Sequence, residues 1–258
     1  KPDILHLISL KPIIFGGLIS FVTPVKFLVI SITGLGSMFI NDSIFHKFRE
    51  RIFNFFYKIV FLFPNLKGIL QNKDDFNYLI KKSNLKRKDV EIIKGSGVNL
   101  NLFKFSSITK GPPVILMASR IIKDKGVIEY IEAIKYLKKL NFNGIFFLIG
   151  DIDIENPSAI SDSLVKYWKS KKLINYLSHQ NNIQKYMKKS SLIVLPSYRE
   201  GFPKVLMEAA ACGRAIITTN VPGCKDAIID NVTGILIPAK NPTAIAKAIL
   251  KIFKKRTI

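Results

Sequence analysis

The sequence predicts an α/β chain made of two doubly wound, Rossmann-like domains, with a ligand cleft where the two face each other. Three observations carry this. Short apolar runs alternate with helical periodicity along the chain, the pattern breaks at a polar connector and then restarts, and 258 residues exceed the usual single domain. Strands separated by helical stretches imply parallel sheets, because parallel neighbours need long crossovers and helices supply them.

The elements follow in order. Ile4–Ile8 reads as a buried strand, residues 14–22 as a helix and Phe27–Ile32 as a second strand. A helix over 43–61, a strand over 68–71, a helix over 75–82 and a strand over 90–94 continue the alternation up to Gly95-Ser96-Gly97. Beyond a polar connector around 106–113, Val114–Ala118 is the cleanest strand in the chain. Helices are expected over 127–140, 161–171, 183–188, 203–211 and 243–254, with strands over 145–149, 174–177, 192–196, 215–218 and 235–237. The domains are accordingly set at 1–105 and 106–258.

Composition narrows the partners. Forty Lys and Arg against eighteen Asp and Glu give a formal net charge of +22, which draws the chain to nucleic acid, an acidic membrane surface or phosphorylated substrates. No nucleic-acid motif is present, and the lysines are spread over helix faces rather than interleaved with exposed aromatics, so no nucleic-acid partner is expected. Cys212 and Cys224 form neither a metal-ligand pattern nor a disulfide framework, which favours the cytoplasmic side. Residues 12–32 have the length of a membrane span, but Lys26, Pro24 and the Gly16-Gly17 pair argue against one. Residues 52–63 are too few to cross a bilayer of about 30 Å as a helix.

The strongest chemical signal is Glu200-Gly201-Phe202-Pro203-Lys204-Val205-Leu206-Met207-Glu208, directly after a predicted strand. It sets one glutamate at the mouth of a helix and the other about two turns along. The first turn presents backbone N–H groups and the positive end of the dipole to a phosphate or to hydroxyls. Carboxylates suit vicinal hydroxyls because each accepts two hydrogen bonds. The small-residue run Ala209-Ala210-Ala211-Cys212-Gly213 lets that helix lie close to a sheet before Gly213 ends it. A second signal, Ser119 to Gly126, places Arg120 and Lys125 on a strand-to-helix loop, where they suit a diphosphate.

Asp151-Ile152-Asp153 imitates a metal-binding carboxylate pair, but it heads a loop between two sheet elements, so no metal is assigned. Of the three histidines, His46 is expected to play a core or surface role. His6 is a candidate near a strand end facing the cleft, and His179 a candidate in a loop able to touch a base.

Together the Ser119–Gly126 loop and the Glu200–Glu208 segment resemble the retaining glycosyltransferase family 4. Gly95-Ser96-Gly97-Val98, Pro196-Ser197-Tyr198-Arg199-Glu200-Gly201 and Val221-Pro222-Gly223-Cys224 match it as well. The resemblance implies the GT-B fold, with an acceptor-side first domain and a donor-binding second domain. It implies catalytic roles for Glu200, Arg120 and Lys125: the two cations would bind the donor diphosphate and Glu200 the donor sugar. Glu208 would contact the ribose, and Gly201, Phe202, Pro203, Lys204 and Val205 the sugar and phosphates.

Lys11-Pro12 and Thr33-Gly34-Leu35-Gly36 are similar to bacterial members that build O-antigen, capsule or protein glycans on polyprenyl diphosphate carriers. This adds Lys11, Gly34, Gly36 and Gly95 as candidates. The implied donor is a nucleotide-diphosphate sugar, UDP-linked, with no separate cofactor. The implied acceptor is a polyprenyl-linked glycan at the inner face of the cytoplasmic membrane, met by a peripheral protein. The family's opening strand and glycine-rich loop are expected before Lys1, and its final helix beyond Ile258. The first domain is therefore taken as incomplete, and the 258-residue chain as inactive alone. Two other readings fit the same charge and fold: a non-catalytic basic module for anionic lipid or nucleic acid, and a sugar-nucleotide epimerase.

Overall fold

The computed structural model describes residues 2–36, 44–108 and 110–254. The side chain of His46 and the expected terminus at Thr257-Ile258 lie outside them. The chain divides into two compact units, Lys1–Ser96 with Arg199–Phe202, and Gly97–Tyr198 with Pro203–Ile258.

The first unit runs β1 (Ile4–Ile8), α1 (Leu10–Ser20), β2 (Phe27–Ile32), α2 (Ile44–Val60), β3 (Leu66–Leu70), α3 (Lys73–Lys82) and β4 (Val90–Ile92). Among the described residues these strands form a four-stranded sheet in the order β1-β2-β3-β4, every pair parallel. Alternation in β2 sends Leu28, Ile30 and Ile32 into the core, where they meet Leu70 and Leu79. Helix α1 starts at Leu10, earlier than predicted. Pro12 is tolerated there because the first turn of a helix has no use for its missing N–H. The Gly16-Gly17 pair serves packing: a Cβ at Gly17 would fall 2.4 Å from Val60 Cγ1, and one at Gly16 2.6 Å from Leu7 Cδ2. Among the described residues no helix is long and apolar enough to cross a membrane. Helix α3 also starts early, because Asn72 accepts the Asp75 N–H at 2.8 Å and caps it.

The second unit runs β5 (Val114–Ala118), α4 (Val127–Lys139), β6 (Ile145–Ile149), α5 (Asp162–Ser170), β7 (Asn175–Leu177), α6 (Ile183–Lys189), β8 (Leu192–Leu195), α7 (Lys204–Ala211), β9 (Ala215–Thr219), β10 (Gly234–Ile237) and α8 (Pro242–Lys254). The described strands form a six-stranded parallel sheet in the order β10-β9-β8-β5-β6-β7. Strand β8 is buried at every position. Leu192 and Val194 join the core under α4, α5 and α8, whereas Ile193 and Leu195 join the core under α6 and α7. This all-apolar run is what a parallel strand covered on both faces requires.

The connector packs with the second unit. Phe103 is buried in its core, and the Arg214 guanidinium donates to the carbonyls of Ser106 and, at 2.8 Å, of Ser190. The division therefore falls at Ser96/Gly97, ahead of 105/106.

Candidate functional site

In the second sheet β6 and β7 lie to one side of β5, while β8, β9 and β10 lie to the other. Strand order thus reverses between β5 and β8, and loops leaving their carboxyl ends diverge to leave a crevice. The two predicted signals are the loops that leave these strands. Two glycines let the backbones close up around it. Gly126 holds φ 75°, and a Cβ there would lie 2.2 Å from the Pro196 carbonyl oxygen. Gly150, just past β6, holds φ 149°, and its Cβ would lie 1.9 Å from the Ser119 carbonyl oxygen. Neither position admits a side chain.

A cavity of about 260 Å³ opens at these strand ends. Ser119 and Arg120 line it after β5, Asp151 after β6, and His179 and Gln180 after β7, with Val205 and Glu208 of α7 closing it. Its volume falls just under the roughly 300–1,000 Å³ usual for small-molecule sites, which suits part of a ligand rather than the whole. A roomier hollow of about 490 Å³ lies at the opposite, amino ends of β9 and β10. Arg214 lines it, but its guanidinium is engaged with the carbonyls of Cys212, Ser190 and Ser106.

Glu208 is 8% exposed, and burial pushes its carboxyl pKa up, against the lowering effect of Lys204 at 3.7 Å, one helical turn earlier. A buried acid on a cavity wall, with a lysine as its nearby counter-charge, is poised to accept hydrogen bonds from hydroxyls. Arg120 pairs with Asp153 at 2.6 Å, and Asp151 Oδ1 accepts the His179 N–H at 2.8 Å. Both carboxylates of the Asp151-Ile152-Asp153 run therefore organise neighbouring loops. Among the described residues no group of three or more His, Cys, Asp or Glu is disposed to hold a metal ion. Lys125 ends a 3₁₀ turn, Lys123–Lys125, in the loop after β5, and is half-buried.

The remaining candidates fall into separate groups. Pro203, Lys204 and Val205 belong to the second unit, where Pro203 precedes the first turn of α7. Glu200, Gly201 and Phe202 belong to the first unit. There a Cβ on Gly201 would fall 1.7 Å from the Thr33 carbonyl oxygen, and one on Gly34 2.9 Å from the Gly201 nitrogen. Asn72 Nδ2 donates to the Gly201 carbonyl at 2.9 Å, and Asp75 pairs with Arg199. Gly34, Gly36 and Gly95 all hold positive φ, and Lys11 is exposed in the first turn of α1.

His6 departs from expectation. It lies in the middle of β1 rather than near its end, exposed, with Nε2 2.8 Å from Ser31 Oγ. The five-residue strand continues two positions past it because Leu7 and Ile8 pair on with Ile30 and Ser31 of β2. Sequence reasoning missed Ser119 and Gln180 as wall residues, and also Tyr198, whose hydroxyl donates to Glu129 Oε1 at 2.6 Å. Strand order is the signal that finds them, and it becomes visible only in the folded sheet.

A six-stranded parallel sheet with its crevice at the point of strand reversal defines a doubly wound α/β architecture, and solved structures place its fold in the GT-B class. Sucrose-phosphate synthase from Thermosynechococcus elongatus superposes with a TM-score of 0.80 at 21% identity, over 99% of this chain and 65% of that one. Anabaena HepE, solved in complex with UDP, superposes with a TM-score of 0.77 at 18% identity, over 98% of this chain and 70% of that one. Residues 99–257 match the family model for glycosyl transferases group 1, and the chain belongs to that family. A relative of known sequence is the N,N'-diacetylbacillosaminyl-diphospho-undecaprenol alpha-1,3-N-acetylgalactosaminyltransferase of Campylobacter jejuni. It is 31% identical over 241 residues, covering 88% of this chain and 60% of that protein. The chain thus spans about 60% of that relative's length.

Proposed function

We propose that the chain is part of a retaining glycosyltransferase that moves a hexose or N-acetylhexosamine from a UDP-sugar to a hydroxyl of a polyprenyl-diphosphate-linked or polysaccharide acceptor, in cell-surface glycan synthesis. The second unit, from Gly97 onward, would form the donor domain and the first unit the acceptor side. The observation that carries this is the cavity at the β5/β8 strand reversal, with Arg120 on one wall and the buried Glu208 on another. A Campylobacter relative whose name specifies an undecaprenyl diphosphate acceptor and a fold neighbour solved with UDP support the same substrates.

In this reading Glu208 accepts the ribose hydroxyls and Glu200 the donor sugar. Arg120, Lys125 and the N-terminus of α7 stabilise the diphosphate as negative charge builds on it during departure.

The acceptor side is proposed to work as a peripheral protein at the inner face of the cytoplasmic membrane. Supporting this, Ile44, Phe48, Ile52 and Phe55 are exposed at 84%, 62%, 39% and 59%, and their spacing sets them along one side of α2. Lys47, Arg51 and Lys58, also exposed, flank that stripe, an arrangement suited to anionic lipid. Phe15 and Ile19 of α1 add exposed apolar surface.

Calorimetric titration with UDP and UDP-sugars tests the donor site. Arg120→Ala and Glu208→Ala should each weaken binding roughly tenfold or more, as expected for loss of a charged hydrogen-bond partner. A folded chain that binds no nucleotide would instead favour a basic binding module.

A further inference from the structure

The donor site leaves one buried acid unused. Glu129 lies in the first turn of α4 and is only 9% exposed. Its Oε1 accepts the Tyr198 hydroxyl at 2.6 Å, whereas Oε2 is buried with no hydrogen-bond partner in the protein. Burying a carboxylate with half its capacity unmet is costly. The contact it does make is therefore the one to explain.

Tyr198 is fastened in three ways. Its backbone N–H donates to the Asp124 carbonyl at 2.9 Å, its hydroxyl reaches Glu129, and Lys240 Nζ lies 5.1 Å from its ring centroid. Beside it, Gly126 is pressed on Pro196 at a distance no Cβ could share. Asp124 is the middle residue of the 3₁₀ turn that ends in Lys125, closed by the Lys125 N–H to the Ile122 carbonyl at 3.2 Å and the Gly126 N–H to the Lys123 carbonyl at 2.8 Å. A lysine is a point charge on a flexible stem, so its effect depends on how firmly its base is held.

We propose that Tyr198 and Glu129 are positioning residues for the nucleotide's diphosphate, holding the turn that carries Lys125. The inference rests on the donor-site reading given above. Tyr198 contributes its hydroxyl and backbone, and Glu129 anchors the hydroxyl from the rigid first turn of α4. Neither touches the nucleotide. Removing the hydroxyl should loosen the Lys125 turn and weaken contact with phosphate, leaving contacts to the nucleoside alone.

The experiment compares UDP with uridine on wild type, Tyr198→Phe and Glu129→Gln by calorimetry. Tyr198→Phe should lower UDP affinity roughly tenfold, the scale of one charge-assisted hydrogen bond, and leave uridine affinity unchanged. Glu129→Gln keeps an oxygen to accept from Tyr198 and should stay within about twofold of wild type. A merely structural role would lower both ligands together or neither. An unchanged UDP-to-uridine ratio in folded Tyr198→Phe overturns the positioning role alone. Should that variant not fold, Glu129→Leu is measured instead: a fall in UDP affinity relative to uridine supports the positioning role, and an unchanged ratio overturns it. Wild type that binds neither nucleotide overturns the donor-site reading and the positioning role with it.

Discussion

The two units differ in where their exposed apolar side chains gather: along one helix in the first, and scattered over separate loops and helices in the second. The second closes a six-stranded sheet between helical layers and keeps every residue of β8 dry. The first leaves Ile44, Phe48 and Phe55 more than half exposed along α2. Both are parallel α/β units, so the class of fold does not explain the contrast. A pocket for a polar ligand needs rigid walls, and rigidity comes from burial on both sides. A surface that meets lipid needs apolar groups outside, and these add nothing to the core.

The sharpest way to break this contrast is Gly150→Ala. With a Cβ 1.9 Å from the Ser119 carbonyl and φ at 149°, the second unit should lose about 3 kcal/mol in urea unfolding and its UDP affinity as well. The first unit's counterpart is Gly17→Ala, where the clash is with the flexible Val60 side chain at 2.4 Å. It should cost about 1–2 kcal/mol and spare nucleotide binding.

A smaller effect comes from Glu208, whose pKa burial raises above 4.5. The folded chain then holds this proton more tightly than the unfolded chain, so its contribution is full below about pH 4.5 and is lost as pH rises through the raised value. Thermal melts of Glu208→Gln across this range should lack that decline. UDP binding by wild type should strengthen over the same interval as the carboxylate forms. The smallest change in stability, within about 0.5 kcal/mol, is expected for Phe48→Ser with Phe55→Ser. That pair should nonetheless strip the chain from anionic vesicles in co-sedimentation. Retained vesicle binding would remove the functional side of the contrast.

Much of the fold can be read from local pattern. The bounds of β1, β2, β5 and β6 coincide with the predicted strands, although β1, expected to be buried, is buried only at Leu7 because it lies at the edge of its sheet among the described strands. The starts of α1 and α3 are less legible: Pro12 looks like a breaker until its place in the first turn is known, and the Asn72 cap sits among other polar residues. The site divides in the same way. Arg120 and Glu208 are visible because each lies in a recognisable segment that follows a strand, Arg120 in the loop after β5 and Glu208 in α7 after β8. Ser119, Gln180, the Arg120–Asp153 pair and the Tyr198–Glu129 contact depend on which strands become neighbours. That is decided by the whole sheet, not by any window of sequence.

Arg214 has a consequence for how the chain can be divided. Its guanidinium gathers the carbonyls of Ser106, Ser190 and Cys212, and Phe103 sits in the same core. An excision at 105/106 would sever the connector inside this knot and leave a hole where Phe103 had been. One made between Ser96 and Gly97 carries the knot away whole, so the second unit is best expressed from Gly97 onward.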